Sequence, residues 1–580
     1  MPAVAQSTAE PDWVSRLADE VIEESARRAP GKPVVVASGL SPSGPIHLGN
    51  LREVMFPHLV ADEIRRRGID CVHILSWDDY DRYRKVPAGC APEWKEHVGK
   101  PLTSVPAPSG SPYPNWAEHF KAPMARSLDR LGIIYRGISQ TAMYTSGAYR
   151  DQILLAMRER RRIDAILGGY RTKGRRLATA PADGEPDPAV TEGSGAATED
   201  DGSTAAGYYP YKPYCPACGT DCTTVTGYDD ATTALTFTCA CGHTETVLLS
   251  EFNRGKLVWK VDWPMRWAYE GVAFEPSGVD HQSPGSSFVV GGRIVKDIFG
   301  GQQPIGPMYA FVGISGMAKM SSSRGGVPTP ADALEIMEVP LLRWLYARRR
   351  PQQSFTVAFD QEIQRLYDEW DALERRVVDG SAGDAEAAAH GHAVRTRAGE
   401  LPRTPRPLPY RTLASVADIT TGDEHQILRI LSDLDPAHPM RSLHEVRPRL
   451  DCAQHWVDTQ LPAEQRTRLR DQPDTTALEA LTAPERVSLD ILLAELNTHR
   501  SLEDLSRLVY AVPKLQLGLP PDVKPSPELK AAQRAFFALV YRLLVGRDTG
   551  PRLPTLLLAA GRERVRKLLG GAAQTNVPPA

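Results

Sequence analysis

The segment from residue 34 to residue 77 constrains the fold more than any other part of the chain. Residues 34–39 form an apolar, β-branched run that predicts a buried strand. A loop rich in Pro, Ser and Gly follows over 40–50, and a helical pattern then runs over 51–67 and ends at Gly68. Residues 71–77 predict a second strand. Two strands joined by a helix make a βαβ unit, which predicts a parallel sheet in an α/β domain.

Polar residues follow both predicted strands at the points where the strands end. The 40–50 loop comes after the first strand, and Asp78, Asp79 and Asp81 come after the second. Ligands of parallel sheets bind beyond the carboxyl ends of the strands, which meet at one edge. We therefore expect the loop and the three aspartates to line one crevice.

Length and charge exclude several classes of protein. The chain has 580 residues, enough for roughly three to four domains. It has no apolar run of about 18 residues, so no transmembrane helix is predicted, and residues 1–13 lack the features of a secretory signal. The net charge of −3 argues against binding nucleic acid by bulk charge but allows local basic patches. We expect a cytoplasmic protein with no membrane partner.

The first loop has the features of a phosphate-binding turn. His47 and Gly49 lie directly after a predicted strand and at the start of a predicted helix. The N–H groups of a helix N-terminus attract phosphate, and a glycine lets a flat ring approach the backbone. The imidazole of His47 can donate a hydrogen bond to phosphate oxygens. Alone, the pattern also fits an ordinary first turn with a surface histidine.

A second loop, over 313–326, has complementary features. It follows a predicted strand, is rich in Gly and Ser, and carries Lys319. Such a loop can close over a triphosphate and neutralise the charge that develops on pyrophosphate. This loop alone fits a solvated turn, but the two loops together predict a site for ATP.

Five of the eight cysteines fall within residues 215–241. Clustering in a long chain without a secretory signal favours metal binding over disulfides. Two cysteine knuckles on short hairpins make a tetrahedral Zn²⁺ site with no open position, so the zinc is expected to be structural. The two-knuckle pattern predicts four ligands and leaves Cys222 outside the site; the ligands are Cys215, Cys218, Cys239 and Cys241.

The remaining chain predicts an insertion, further strands and a helical half. Residues 173–207 are rich in small and acidic residues and predict a disordered insertion, and 288–291 and 308–315 predict strands. After residue 339 the pattern is mainly helical, with polar interruptions near 378–404 and 570–580. Basic patches could neutralise phosphates, although each also fits a solvated helix face; they lie at 158–162, 348–350 and 540–567.

The two loops together resemble the signatures of the class I aminoacyl-tRNA synthetases. They read His47-Leu48-Gly49-Asn50 and Lys319-Met320-Ser321-Ser322-Ser323. The resemblance implies a Rossmann-like domain that uses ATP with Mg²⁺, in which His47 and Lys319 are catalytic. Ser322 stands where many of these enzymes have a second lysine, so Lys319, with Arg324, would carry the positive charge. It also implies ATP contacts from Pro42, Ser43, Gly44, His47, Gly49, Asn50, Lys319, Met320, Ser321, Ser322 and Ser323.

Three further stretches resemble the class I lysyl-tRNA synthetases in particular. They are 37–47, 77–87 and 261–267, of which the last also resembles the glutamyl enzymes. A buried lysine ammonium needs a carboxylate, which Asp78, Asp79 or Asp81 can provide. A glutamate pocket would need a guanidinium, and Arg82 and Arg84 keep that alternative open. The resemblance also implies lysine contacts from Gly39, Ser41, Trp259, His281 and Tyr309.

The resemblance bears on the metal as well. It implies His243 as the fourth zinc ligand where the two-knuckle pattern gives Cys241, so both remain candidates. Relatives often carry a second zinc site before a segment like 117–120. Here only His119 survives as a candidate ligand, and we expect that site to be absent.

These observations predict an α/β Rossmann-like catalytic domain with a zinc-bearing insertion, followed by an all-α helical cage that binds the anticodon. The expected division is 1–150 and 256–350 for the halves of the catalytic domain, 151–255 for the insertion, and 351–580 for the cage. The predicted activity is lysine–tRNA ligation from L-lysine, ATP and tRNA(Lys), with a monomer favoured. The alternatives are a glutamate–tRNA ligase, a non-catalytic tRNA-binding paralogue, and a small-molecule nucleotidylyltransferase, which would need neither zinc nor the helical half.

Overall fold

The structure is a computed structural model of the chain. It describes residues 12–86, 92–178, 202–283, 285–315, 326–435, 437–496, 501–520, 522–524 and 526–570. The chain divides into two compact units. The N-terminal unit takes residues up to 334 together with 339–357 and 376–401, and the C-terminal unit takes 335–338, 358–375 and the chain from 402 onward.

A three-stranded parallel sheet organises the N-terminal unit. Its strands run in the order β1–β2–β3, with Leu40 paired to Trp77 at the carboxyl edge. Phe274 adds a bridge on the other side of β1 and is itself bridged to Ile305. The first elements are α1 Trp13–Arg28, β1 Val34–Leu40, α2 Leu48–Arg66, β2 Cys71–Trp77, α3 Trp116–Arg130 and β3 Arg136–Ser139.

The segment predicted as βαβ has that form. Strand β2 has the predicted bounds, β1 extends one residue further, and α2 starts three residues earlier than predicted. Val54, Leu59, Val60 and Ile64 of α2 are all buried, as the helical pattern indicates. Because most of its other faces are also covered, α2 is a core helix rather than a surface helix.

A mostly antiparallel insertion follows the helices α4 Gln140–Thr145, α5 Arg150–Arg158 and α6 Arg160–Ala178. Strands β7, β8 and β9 form a meander, and β6 pairs with β10. Phe237 and Leu235 of β8 are fully buried in its core. The strands are β4 Ser203–Thr204, β5 Gly207–Tyr208, β6 Tyr211–Pro213, β7 Thr223–Tyr228, β8 Ala234–Cys239, β9 Thr244–Leu248 and β10 Gly255–Leu257.

The rest of the N-terminal unit returns to short parallel pairs and helices. Strand β11 pairs with β12 and β13 with β14, both in parallel. The elements are α7 Trp259–Glu270, β11 Ser277–Gly278, α8 Ser287–Asp297, β12 Met308–Tyr309, β13 Val312–Ile314, α9 Pro330–Ile336, α10 Val339–Ala347, β14 Phe355–Val357, α11 Glu362–Val378, α12 Asp384–Val394, β15 Arg395–Thr396 and β16 Gly399–Glu400; α9 and α11 each cross between units.

The C-terminal unit is helical, which agrees with the pattern predicted after residue 339. A large apolar core includes Leu492, Val509, Leu543 and Leu556. Its helices are α13 Tyr410–Thr420, α14 Glu424–Leu434, α15 Arg449–Gln460, α16 Thr475–Glu479, α17 Ala483–Glu495, α18 Leu502–Gln516, α19 Pro527–Val545, α20 Leu553–Ala560 and α21 Arg562–Gly570. None of the helices in the described part of the chain is long and apolar enough to cross a membrane.

Three sequence predictions need correction. Residues 288–291 belong to α8 rather than to a strand, because Gly291 lets the ring of Trp267 pack against the helix, where an added Cβ would lie 2.9 Å from that ring. Residues 308–315 form two short strands in different sheets, β12 and β13. The stretch 378–404 contains the helix α12 and the hairpin β15–β16.

The expected disordered insertion at 173–207 is also partly wrong. Residues 173–178 continue α6, and β4 and β5 form a hairpin near its other end. Residues 179–201 lie outside the described residues. The interruption expected at 570–580 lies outside them too, apart from Gly570 at the end of α21.

Candidate active site

The loop after β1 ends in a side-chain cap formed by His47. The ring Nδ1 atom of His47 accepts a hydrogen bond from the backbone N–H of Gly49 at 3.1 Å. The backbone N–H of His47 donates to Oδ1 of Asn50 at 3.3 Å. Burial lowers the pKa of the His47 imidazole. Because Nδ1 accepts, the neutral ring carries its proton on Nε2, so His47 is set to donate from that atom.

Asn50 has a structural task in the same turn. Its amide nitrogen donates to Oε1 of Glu53 at 3.2 Å, while its oxygen completes the cap. Pro42 and Gly44 are buried, whereas Ser43 is exposed and its carbonyl accepts the indole N–H of Trp116 at 3.1 Å. The first loop is therefore held by Trp116 of α3 at Ser43 and by its own capping hydrogen bonds at His47 and Asn50.

The flanks of the second loop lie within the described residues, whereas its lysine and serines do not. Lys319, Met320, Ser321, Ser322 and Ser323 all lie outside the described residues. Its flanks are described. Strand β13 leads into it, and after it the carbonyl of Pro328 accepts the N–H of Leu48, in the first turn of α2, at 3.1 Å. The downstream flank of the second loop thus contacts the helix that His47 caps.

The first aspartate after β2 is paired with an arginine. Asp78 follows β2, and its N–H donates to the carbonyl of Leu40 at 2.9 Å. Arg266 of α7 donates to Oδ1 of Asp78 at 2.6 Å and also pairs with the fully buried Asp262. Burial raises the pKa of Asp78 to about 6, against the opposing effect of Arg266.

The other two aspartates are engaged as well. Lys256 of β10 forms an ion pair with Asp81 and lies 3.6 Å from Asp262. Burial acts to raise the pKa of Asp81, but Lys256 outweighs it and holds that pKa below its usual value. Asp79 accepts the N–H of Thr141 at 2.8 Å. None of the three predicted lysine-binding carboxylates therefore stands as a lone charge.

A cavity lies between the carboxyl-terminal halves of the three strands and the helix α7. Its floor includes Gly39 of β1 and Ser76 of β2, and α7 supplies the facing wall. The rings of Trp259 and Trp263 stack at 5.1 Å, and Trp263 lies 5.0 Å from Trp267. The complete lining is Ala37, Ser38, Gly39, Ile74, Ser76, Asp78, Ile138, Gln140, Tyr149, Trp259, Trp263, Arg266, Trp267, Glu270, Val272 and Glu275.

The structure brings some of the predicted lysine-site residues together and separates others. Gly39, Asp78 and Trp259 line the cavity. His281 contacts its wall edge-on, with its ring 5.5 Å from that of Trp263. The remaining predicted residues are not part of the lining; they are Ser41, Asp79, Asp81 and Tyr309.

Tyr309 packs beside α2 rather than in the cavity. Its ring lies 6.2 Å from Phe56 and 5.9 Å from the guanidinium of Arg52. Sequence reasoning also missed the charged residues that set the electrostatics of the cavity, namely Arg266, Lys256 and Glu275. Arg266 lies inside a stretch used for the resemblance, but the pattern does not say that it pairs with an aspartate 188 positions away.

Four cysteines converge at the end of the β7–β9 meander. Their sulfur atoms all lie within 4.8 Å of one another, with Cys215 and Cys241 3.8 Å apart and Cys218 and Cys239 3.6 Å apart. Tetrahedral Zn²⁺ with bonds of about 2.3 Å separates its sulfurs by about 3.8 Å, so this set fits the metal. The imidazole of His243 lies instead 3.1 Å from Glu245.

Several residues of the basic patch at 540–567 make contacts within the C-terminal unit. Arg542 pairs with Asp548 at 3.0 Å, and Arg564 pairs with Asp471 at 3.0 Å. Arg566 donates to the carbonyl of Leu493 at 2.8 Å. The two ion pairs are exposed, and such pairs are weak enough to exchange for phosphate.

Comparison with known proteins gives a consistent family. The family model described as "tRNA synthetases class I (K)" matches residues 11–399. The chain is 70% identical to a lysine–tRNA ligase of Streptomyces coelicolor over 98% of this chain and 100% of that protein. It is 32% identical to a lysine–tRNA ligase of Pyrococcus horikoshii over 96% of this chain and 99% of that protein.

A solved structure is also similar, though loosely. A glutamate tRNA ligase from Elizabethkingia meningosepticum aligns with 93% of this chain and 100% of its own, with a TM-score of 0.41 and 12% sequence identity. The family match covers more than half of the chain, and the identity to full-length relatives extends through the helical unit. The chain therefore belongs to the class I (K) family of tRNA synthetases.

Proposed function

We propose that this protein is a lysine–tRNA ligase, which forms lysyl-adenylate from L-lysine and ATP and transfers the lysine to tRNA(Lys). The observation that carries the choice of amino acid is the charge of the cavity. Its lining holds three carboxylates, Asp78, Glu270 and Glu275, and one guanidinium, Arg266, which already contacts two aspartates. Such a cavity attracts an ammonium and repels the side chain of glutamate.

The proposed chemistry has two steps. The lysine carboxylate attacks the α-phosphorus of ATP, and pyrophosphate leaves. The terminal 2′-hydroxyl of tRNA then attacks the adenylate carbonyl, and AMP leaves. Mg²⁺ bound with ATP would neutralise part of the phosphate charge.

His47 and the start of α2 support the first step. The Nε2 proton of His47 can donate to a phosphate oxygen, while Nδ1 is held by Gly49, so the ring is fixed in one orientation. The N-terminus of α2 adds the partial positive charge of the helix dipole. Lys319 is the expected cation on the opposite side of the phosphates; the contact between Pro328 and Leu48 supports this by bringing a flank of its loop to α2.

The zinc ligands are proposed to be the four cysteines, with Cys241 rather than His243 as the fourth. Cys241 lies among the other three sulfurs, whereas His243 contacts Glu245. The metal would hold the end of the meander and have no part in the chemistry. Zinc content measured by mass spectrometry should be one per chain, lost in Cys241→Ser and kept in His243→Ala. The reverse result would assign the fourth position to His243.

The C-terminal unit is proposed to bind the anticodon stem-loop, and the protein is expected to act as a cytoplasmic monomer. Its helical architecture and its excess of basic residues over 540–567 support the first part. No single side chain is assigned to a base.

The deciding experiment is amino-acid-dependent exchange of pyrophosphate into ATP with purified protein and bulk tRNA. Lysine should support exchange and glutamate should not. Because related glutamyl enzymes activate their amino acid only with tRNA bound, we expect exchange to require tRNA. If glutamate supports exchange and lysine does not, the protein is a glutamate–tRNA ligase instead.

The Lys319→Ala variant separates an enzyme from a tRNA-binding paralogue. Losing the charge that neutralises pyrophosphate should lower the exchange rate by roughly 100-fold. Purified protein that binds tRNA but shows no exchange before or after the substitution would favour the paralogue.

A further inference from the structure

Glu275 is a buried carboxylate beside the middle of β1 that lines the cavity. It directly follows Phe274, which bridges to Val36 of β1, and its own N–H donates to the carbonyl of Ile305 at 3.0 Å. Its side chain lines the cavity and is only 8% exposed. The main chain therefore fixes Glu275 between two strands, with its carboxylate facing the space where substrate is proposed to bind.

Its hydrogen-bond partners are neutral. The indole of Trp267 donates to Oε2 of Glu275 at 2.6 Å, and the indole of Trp263 is a second donor. Within the part of the chain that the structure describes, no lysine, arginine or histidine forms an ion pair with Glu275. The other two carboxylates of the cavity each have one, Asp78 with Arg266 at 2.6 Å and Glu270 with Arg136 at 2.8 Å.

A buried carboxylate without a cation is costly, and Glu275 shows the consequence. Burial raises the pKa of Glu275 to about 7, although the two indole donors and the more distant charge of Arg266 oppose that increase. An ionised carboxylate in such a place is stabilised most by a cation that enters the cavity and makes a charge-assisted hydrogen bond. In the described part of the chain no cation forms an ion pair with Glu275, and Arg266 acts on it only through space, so a ligand is the natural source of a direct partner.

The shape of the wall leads to the same carboxylate. Trp259, Trp263 and Trp267 lie four residues apart on α7 and form a continuous ladder of rings. The last ring of that ladder donates to Glu275. A straight aliphatic chain can lie along the rings, so a cation at the end of such a chain would meet the carboxylate.

We propose that Glu275 is the residue that binds the ε-ammonium of lysine and so determines the choice of amino acid, in place of Asp78, Asp79 or Asp81. This rests on the proposed lysine–tRNA ligase function. Asp81 is already paired with Lys256, and Asp78 with Arg266, so both need their charge for the protein's own cations. Among the carboxylates that line the cavity, Glu275 is the one whose charge does not neutralise a cation of the protein in the described part of the chain.

The test compares Glu275→Gln with the unchanged protein for two ligands. Glutamine keeps the oxygen that accepts from Trp267 but removes the charge. L-Norleucine has the same carbon chain as lysine without the ε-ammonium. Calorimetry should give a dissociation constant for lysine that rises roughly 30-fold or more in Glu275→Gln, while that for norleucine changes less than about threefold. Glu275→Asp should recover part of the affinity for lysine.

Glu53→Gln is the matched control. Glu53 is also an acid whose hydrogen-bond partner is neutral, the amide of Asn50 at 3.2 Å, and burial also raises its pKa, to about 8. It does not line the cavity and acts on Glu275 only through space, so lysine affinity should fall much less in Glu53→Gln than in Glu275→Gln. A larger loss in Glu53→Gln than in Glu275→Gln would overturn the assignment.

Two other results would overturn it. Unchanged lysine affinity in Glu275→Gln would place the ammonium elsewhere, and parallel loss of lysine and norleucine would mean that Glu275 only holds the tryptophans in place. If Glu275→Gln does not fold, the same comparison is made with Glu275→Asp, which must weaken lysine more than norleucine. Failure of the function itself is recognised separately, by unchanged protein that shows no lysine-dependent exchange with tRNA.

Discussion

Each of the two units contains a buried arginine held by two carboxylates. In the C-terminal unit, Arg449 is bound to Glu338 at 2.6 Å and to Asp371 at 2.7 Å. In the N-terminal unit, Arg266 is bound to Asp78 and Asp262. The chemistry is the same, but the surroundings differ, and the difference separates a structural ion network from a functional one.

The Arg449 network is closed. Its guanidinium also donates to the carbonyl of Leu408 at 3.1 Å and lies 5.0 Å from the ring of Tyr367, while Thr404 donates to Glu338 at 2.7 Å. The Arg266 network instead lines a cavity together with Glu275, a carboxylate that no cation neutralises in the described part of the chain. A network in which every charged group is paired within the protein stabilises the fold. A network that leaves a charged group without an ion pair beside a cavity can bind a ligand.

The largest expected effect is on stability, in Arg449→Leu. Removing the arginine leaves Glu338 buried without its cation, which should lower the free energy of unfolding by about 3–5 kcal/mol. Denaturant unfolding of the C-terminal unit within the full chain measures this. Lysine affinity of the remaining folded protein should stay as before, and a loss of lysine affinity without a loss of stability would break the comparison.

Arg266→Gln should reduce activity strongly and stability only moderately. Lys256 stays 3.6 Å from Asp262, and the cavity lets water reach Asp78, so the loss of stability should be smaller, about 2 kcal/mol. Arg266 fixes the position of the Asp78 carboxylate that lines the cavity. The kcat/KM for lysine in pyrophosphate exchange should therefore fall at least about tenfold. Equal stability losses in Arg266→Gln and Arg449→Leu would mean that both networks are structural.

The sequence predicts the local parts of this picture and misses the tertiary ones. The strand and helix pattern of 34–77 and the cysteine knuckles are encoded by neighbours in sequence, and both appear in the structure. The pairing of Asp78 with Arg266 joins residues 188 positions apart, and no local pattern indicates it. For the same reason the sequence points to the visible aspartate cluster as the ammonium site and passes over Glu275, whose surroundings exist only after folding.

The strand predicted at 288–291 fails for a related reason. Its apolar residues fit either element, and the packing of Gly291 against Trp267 favours the helix. The second loop is a different case. Its sequence is the most informative of the chain for ATP binding, yet Lys319 lies outside the described residues, so its role rests on sequence and on the position of Pro328.

The pH dependence of lysine binding is a smaller effect that also distinguishes the cavity network from the closed Arg449 network. Burial raises the pKa of Glu275 to about 7, so below that pH the folded protein holds a proton there that an ammonium must displace. Lysine affinity should therefore fall roughly tenfold between pH 8 and pH 6. The groups that act on Glu275 include Arg266, Asp78, Glu53 and Tyr309; burial raises the pKa of Asp78 to about 6 and that of Glu53 to about 8.

The raised pKa of Glu275 also makes the stability of the folded protein depend on pH. A carboxyl whose pKa is raised on folding binds its proton more tightly in the folded state, so its contribution to stability falls as pH rises from its ordinary value to the raised one. For Glu275 that window runs from 4.5 to about 7. Lysine-binding calorimetry over pH 6–8 checks the affinity, and unfolding curves over pH 4.5–7 check the stability, each with unchanged protein and Glu275→Gln; the variant should lose most of both slopes. An equal slope in both proteins would move the titrating group away from Glu275.

The smallest effects come from two hydroxyl groups in matched positions. Ser76 accepts from Arg266 at 3.1 Å and from Gln140 at 2.6 Å, and Thr404 donates to Glu338 at 2.7 Å. Ser76→Ala and Thr404→Val should each cost about 1–2 kcal/mol of stability, because each removes a hydrogen bond to a buried polar network. Only Ser76→Ala should also weaken lysine, by roughly two- to threefold, since Ser76 lines the cavity and Thr404 belongs to the closed network. Unfolding curves and lysine titrations on both variants test this. A loss of lysine affinity in Thr404→Val would show that the closed network also reaches the binding site.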